Sequence, residues 1–178
     1  MDNLAEYLLD LTQNAITAKA SLIEMSIIQN DLLTVKLKDN GVGMDPETIK
    51  KATSPYFTTR KTRKVGLGLP MIKLLSEQTE GTFELTSTPL KGTCLQVTFD
   101  HHHIDMPMIG DLGEMVMLIS IHQDVCEFIF TYQCYEAIYH YRLSEMKEML
   151  GTTLNDSNIM NYIKDYINQE IAKVRGTK

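Results

Sequence analysis

Apolar side chains at Leu4, Leu8, Leu11, Ala15 and Ala18 recur alternately four and three residues apart. That spacing puts them on one stripe of a helix, so residues 3–20 are predicted to form an amphipathic helix. The period then drops to two. Ile23, Met25 and Ile27 define one alternating face, and Leu33, Val35 and Leu37 define another with Thr34, Lys36 and Lys38 opposite. Asn30-Asp31 supplies turn chemistry between the two runs, which predicts an antiparallel hairpin whose second strand delivers Asp39 to its end. Asp45-Pro46-Glu47 reads as a helix start. Residues 54–65 have no clear period, are rich in Thr, Lys and Arg, and read as a mobile loop. A helical pattern returns over residues 66–78 through Leu69, Ile72 and Leu75, with Pro70 tolerable in the first turn. Strand-like runs at 82–87 and 93–99 follow, joined by a loop containing Pro89 and Gly92.

A composition change over residues 100–110, Asp-His-His-His-Ile-Asp-Met-Pro-Met-Ile-Gly, marks an expected boundary between a unit at 1–100 and an extension at 101–178. The extension reads as a helix at 111–121, strands near 125–133 and 136–143, a short helix ending at Leu150, and a final helix. Ile159, Ile163, Ile167, Ile171 and Val174 line one face of that last helix, with Asn155 or Asp156 as its cap. The alternation in Phe128-Ile-Phe-Thr-Tyr132 and Tyr139-His-Tyr141 suggests strands that extend a sheet or form a small separate layer, with the aromatics in the core. The fold class is therefore α+β.

An apolar fraction of 43% with 22% charged residues belongs to a globular protein. No apolar run is long enough to cross a bilayer, and Met1-Asp2-Asn3 lacks the basic start of a signal peptide, so the expectation is a cytoplasmic protein without a membrane contact. A formal net charge of −6 argues against nucleic acid as an electrostatic partner. Cys94, Cys126 and Cys134 are scattered and read as buried free thiols. His101, His102 and His103 read as a surface linker, since no second ligand cluster has metal spacing, and His122 and His140 as structural or surface residues.

Candidate chemistry lies in two glycine clusters. Asp39-Asn-Gly41-Val-Gly43-Met44 pairs a carboxylate with residues that let backbone approach a ligand. Gly66-Leu67-Gly68-Leu69 opens a helix, whose N-terminal N–H groups and dipole favour phosphates. One helix earlier, Asp10 and Asn14 sit four residues apart and share a face. Pro55-Tyr-Phe57-Thr-Thr-Arg60-Lys61 lies between the clusters, and Gly92-Thr93 lies on a later strand. With these motifs in this order, residues 2–100 resemble the GHKL superfamily, the Bergerat-fold ATP-binding domains of gyrase, heat-shock chaperones, sensor histidine kinases and mismatch-repair ATPases.

The resemblance implies a two-layer α/β sandwich, a mixed sheet covered by helices on one face, here carrying a small C-terminal α+β appendage. It implies ATP and Mg²⁺ as ligands. Asn14 would ligate the metal, Asp39 would bind the adenine amino group, and Thr93 would share a water-mediated contact to the same base. Gly41, Gly43 and Met44 would hold the turn around the base, while Gly66, Leu67, Gly68 and Leu69 would offer backbone to the phosphates. Arg60, Lys61, Arg63 and Lys64 would lie on a short lid, with Lys61 the favoured phosphate partner. Asp10 occupies the position of the Glu that orients or deprotonates water in the gyrase and mismatch-repair branches. It is one methylene shorter, which implies slow hydrolysis.

A chain that opens at the Asn-bearing helix is expected to lack the phospho-acceptor histidine of a sensor kinase. Three functions stay open on this reading: a slow ATPase or nucleotide-driven switch acting on a protein partner, a serine/threonine kinase resembling the anti-sigma-factor kinases, and an ATP-binding protein without turnover.

Overall fold

The computed structural model describes residues 2–54, 67–151 and 154–176. The first helix, α1 (Leu4–Thr17), starts where the Asn3 side chain accepts the Glu6 N–H, and it buries Leu4, Leu8, Leu11 and Ala15 of the predicted stripe, with Ala18 half-buried as its C-cap. The strands β1 (Leu22–Gln29) and β2 (Leu33–Asp39) form the predicted hairpin, with Met25 opposite Leu37 and Ile23 opposite Asp39. A short helix, α2 (Pro46–Ala52), is capped by Asp45, whose side chain accepts the Thr48 N–H. Helix α3 (Gly68–Gln78) and the antiparallel strands β3 (Phe83–Thr88) and β4 (Gly92–Phe99) follow.

The second half supplies α4 (Leu112–Ser120), β5 (Glu127–Cys134), β6 (Ala137–Arg142), α5 (Leu143–Leu150) and α6 (Ser157–Gly176). The six strands among the described residues make one sheet in the order β3-β4-β2-β1-β5-β6. The β1–β5 pair is parallel and the others are antiparallel, so the sheet is mixed. The strands beyond the 100–110 connection therefore continue the same sheet that β1 and β2 begin.

Register sorts the side chains into rows. Leu85, Leu95, Leu37, Met25, Phe130 and Tyr141 form one row across all six strands. Phe83, Val97, Val35, Ile27, Tyr132 and Tyr139 form the next. These rows face the helices and bury almost completely from β4 to β6. Each large buried side chain contributes about 1.5–3 kcal/mol through loss of apolar surface from water. The opposite face carries rows such as Glu84, Gln96, Lys36, Ser26, Thr131 and His140, which are half-buried or exposed. Helices thus cover one face of the sheet, with α1 packed between α3 and α4, and α6 packed on α4 and on the β5–β6 end.

Candidate functional site

The helix-facing rows end in polar residues on one side of the sheet. Beyond the Leu85–Leu95–Leu37 row, the next one reads Ser87, Thr93 and Asp39. A carboxylate, with two hydroxyls beside it, therefore closes an otherwise apolar layer at the C-terminal end of β2.

Asp39 is 9% exposed, and its Oδ1 accepts the Gly41 N–H at 2.8 Å. Burial pushes its carboxyl above the ordinary aspartate range, while the backbone N–H groups of Gly41 and Thr93 act in the opposite direction. The loop that follows is clamped from both sides. Asn40 Oδ1 accepts the N–H groups of Ser21 and Leu22 at 2.9 Å each, and the Val42 N–H donates to the Ala18 carbonyl at 2.9 Å. Leu90 N–H donates to the Val42 carbonyl at 2.7 Å, and Met44 N–H to Ser87 Oγ at 2.8 Å. Gly43 has φ +66°, and an added Cβ would lie 2.0 Å from the Thr88 carbonyl oxygen, so only glycine lets the loop lie against the β3–β4 hairpin.

A cavity of about 370 Å³ opens above this layer. Leu37, Leu85 and Leu95 form its floor, Leu11, Asn14, Ala15 and Ala18 one wall, and Thr48, Ala52 and Met44 another. Asp39 and Thr93 supply the polar groups at the sheet, and Leu69 closes the side nearest α3. A mostly apolar concavity with a few convergent polar groups is the usual form of a small-molecule site.

The site residues expected from the sequence divide into four groups. Asn14, Asp39, Gly43, Met44, Leu69 and Thr93 line the cavity. Gly41 lies behind it as the donor to Asp39, and Leu67 and Gly68 form the start of α3. Asp10 is not among the lining residues but lies against that helix start: a Cβ on Gly68 would stand 2.4 Å from Asp10 Oδ2. Arg60, Lys61, Arg63, Lys64 and Gly66, with the Phe57-Thr58-Thr59 stretch, lie outside the described residues. The sequence reading missed the apolar floor and the contributions of Thr48, Ala52 and Ser87. Leu37 carries the same alternation as the core around it, so no local signal separated it from buried packing.

The sequence comparison decides the family. Residues 2–103, more than half of the chain, match the family of histidine kinase-, DNA gyrase B- and HSP90-like ATPases. The chain belongs to this family. A putative sensor protein of Shewanella frigidimarina is 35% identical over 101 residues, which are 54% of this chain and 15% of that protein. The sensor protein kinase FleS of Pseudomonas aeruginosa is 38% identical over 96 residues, 52% of this chain and 24% of that protein. The chain thus spans less than a quarter of the length of either relative.

Among solved structures, the N-terminal domain of a DNA repair protein covers 86% of this chain and 58% of its own, with a TM-score of 0.56 at 15% identity. At that identity the likeness concerns the fold alone. It reaches well past residue 103, so most of the C-terminal extension shares that fold as well.

A domain of this ATPase family implies ATP, typically with Mg²⁺. The donor set fits both. A hard cation takes oxygen ligands, and Asn14 offers a side-chain amide oxygen on the cavity wall. The buried Asp39 carboxylate, set at the edge of an apolar floor, suits a flat base with an amino group. Among the described residues no helix is long and apolar enough to cross a membrane.

Proposed function

We propose that this chain binds ATP with Mg²⁺ in the cavity above β2 and β4, and works as a slow ATP hydrolase or nucleotide-driven switch acting on a protein partner. The observation that carries the reading is the cross-strand pair Thr93 and Asp39 closing an apolar cavity whose wall presents Asn14. In this reading Asp39 accepts a hydrogen bond from the adenine amino group, and the leucine floor takes the ring face. Asn14 holds the metal, which when bound screens the phosphate charge. The N–H groups at the start of α3 face the phosphates, with Leu67, Gly68 and Leu69 as their carriers.

Asp10 is the proposed base. Its carboxylate lies against Gly68 at the helix start, where it accepts the proton of an attacking hydroxyl. The identity of that hydroxyl separates hydrolysis from transfer to a partner's Ser or Thr, and Asp10 serves either. Both relatives named above are called sensor proteins, which favours a regulatory role over bulk ATP consumption.

Incubation with γ-labelled ATP and Mg²⁺ tests the turnover claim. Free phosphate is the expected product, and Asp10→Asn is expected to lower its rate by about 10²-fold or more while nucleotide affinity stays within a few-fold. Unchanged turnover in Asp10→Asn removes Asp10 as the base. Label appearing on a co-purified protein turns the assignment to the kinase reading.

A further inference from the structure

Ser87 does not line the cavity, yet it stands in register beside Thr93, which does. Among the described residues its hydroxyl has three hydrogen-bonding neighbours. Met44 N–H donates to Ser87 Oγ at 2.8 Å, the Gly92 carbonyl lies 2.8 Å away, and Thr93 Oγ1 lies 2.9 Å away.

Counting protons fixes the direction of every bond. A serine hydroxyl has one hydrogen to give and two lone pairs to receive. A carbonyl oxygen only accepts, so the Ser87 hydrogen goes to Gly92. One Ser87 lone pair is taken by Met44 N–H, and the other then receives the Thr93 hydroxyl hydrogen. The reverse arrangement, Ser87 donating to Thr93, would leave two oxygens 2.8 Å apart at Gly92 with no hydrogen between them. Thr93, a residue that lines the cavity, therefore spends its only hydrogen on Ser87 and keeps its oxygen as an acceptor alone.

We infer that Ser87 is a specificity-determining, positioning residue: by taking the Thr93 hydroxyl hydrogen it makes the polar edge beside Asp39 accept only, which admits a purine carrying an amino group at position 6 and repels one carrying a carbonyl there. The inference rests on the nucleotide-binding reading above. Asp39 alone repels such a carbonyl, but a Thr93 hydroxyl free to rotate would offset the repulsion by donating to it. Ser87 withholds that compensation. The same hydroxyl ties Met44 to the hairpin, so it aligns the loop and sets the polarity of the site together.

The test compares ADP with inosine diphosphate, in which the 6-amino group is replaced by a carbonyl and N1 carries a hydrogen, titrated calorimetrically into the full chain. The unaltered protein is expected to prefer ADP. Ser87→Ala is expected to cut the ADP preference by about tenfold, the scale of one hydrogen bond, and Ser87→Thr to preserve it. In a Thr93→Val background, Ser87→Ala is expected to leave the preference unchanged. Loss of the Met44 bond weakens both nucleotides alike and cancels in the ratio. Parallel weakening of both nucleotides with an unchanged ratio overturns the inference while leaving the nucleotide reading intact. An unaltered chain that binds neither nucleotide overturns that reading, and this inference with it.

Discussion

At the scale of single residues, Asp39 carries opposing demands. Its carboxylate is well placed to accept from a ligand, yet burial makes the charge costly in the ligand-free protein. Because the folded-state pKa is raised, the charged form reduces stability above that pKa, and the cost vanishes as pH falls through it toward the ordinary carboxylate range. Asp39→Asn keeps an oxygen for the Gly41 N–H and removes the charge. It is expected to stabilise the ligand-free protein at neutral pH and to flatten its stability between neutral and mildly acidic pH, as read from urea midpoints. A variant that is less stable than the parent at neutral pH would contradict the burial argument. The two glycines that matter most do so for different reasons, Gly43 through a positive φ and a touching carbonyl, Gly68 through the approach of Asp10. The motif pattern pointed to Asp39 and the glycines because such residues are rare in that order. It could not point to Ser87, whose role exists only through cross-strand register.

Among the elements, α1 is the scaffold of the site, since it carries Asp10 and Asn14 and packs on both α3 and α4. The contact with α4 links it to the second half of the chain. There Asp111 is the fastening point. It caps α4 through the Glu114 N–H at 2.8 Å, accepts Asn168 Nδ2 at 2.8 Å, and pairs with Lys164 Nζ at 3.1 Å. Asn168 returns the contact by accepting the Gly113 N–H at 2.9 Å. Partial burial opposes the Asp111 charge, but the bonds from Asn168, Glu114 N–H and Lys164 outweigh it and hold the carboxyl below its usual value. The resulting stabilisation is complete above the ordinary carboxylate pKa and is lost as pH falls through the lowered one. Asp111→Ala is expected to cost about 1–2 kcal/mol at neutral pH, the range of a lost helix cap, with the difference from the parent shrinking in strong acid. Denaturant unfolding at both pH values checks this, and an effect that persists unchanged in acid would rule out the carboxylate. Periodicity made the existence and type of α1, β1, β2 and α6 legible, because each presents one clean apolar face. It was silent on the α4–α6 staple, which joins residues 57 apart in sequence.

For the molecule as a whole, the decisive feature is that one sheet runs through both halves of the chain. The parallel β1–β5 pair sets Met25 beside Phe130 and makes the two halves share a core row. A sequence pattern reports which face of a strand is buried but not which strand lies next to it, so the composition break at 100–110 said nothing about this pairing. The cavity lies on the β2–β4 side of that row, with its leucine floor drawn from the same layer that forms the core farther along the sheet. Cavity floor and core are chemically alike, and only the polar row at the edge tells them apart. That row is the centre of the functional claim. The measurement that tests it most directly is calorimetric titration of a non-hydrolysable ATP analogue with Mg²⁺ into the unaltered chain and into Asp39→Ala. The expected result is one binding event in the unaltered protein, weakened by about 1.5–3 kcal/mol in the variant, roughly 10- to 150-fold, with the variant still folded by circular dichroism. Equal affinity in both proteins, or no binding by the unaltered chain, would contradict it.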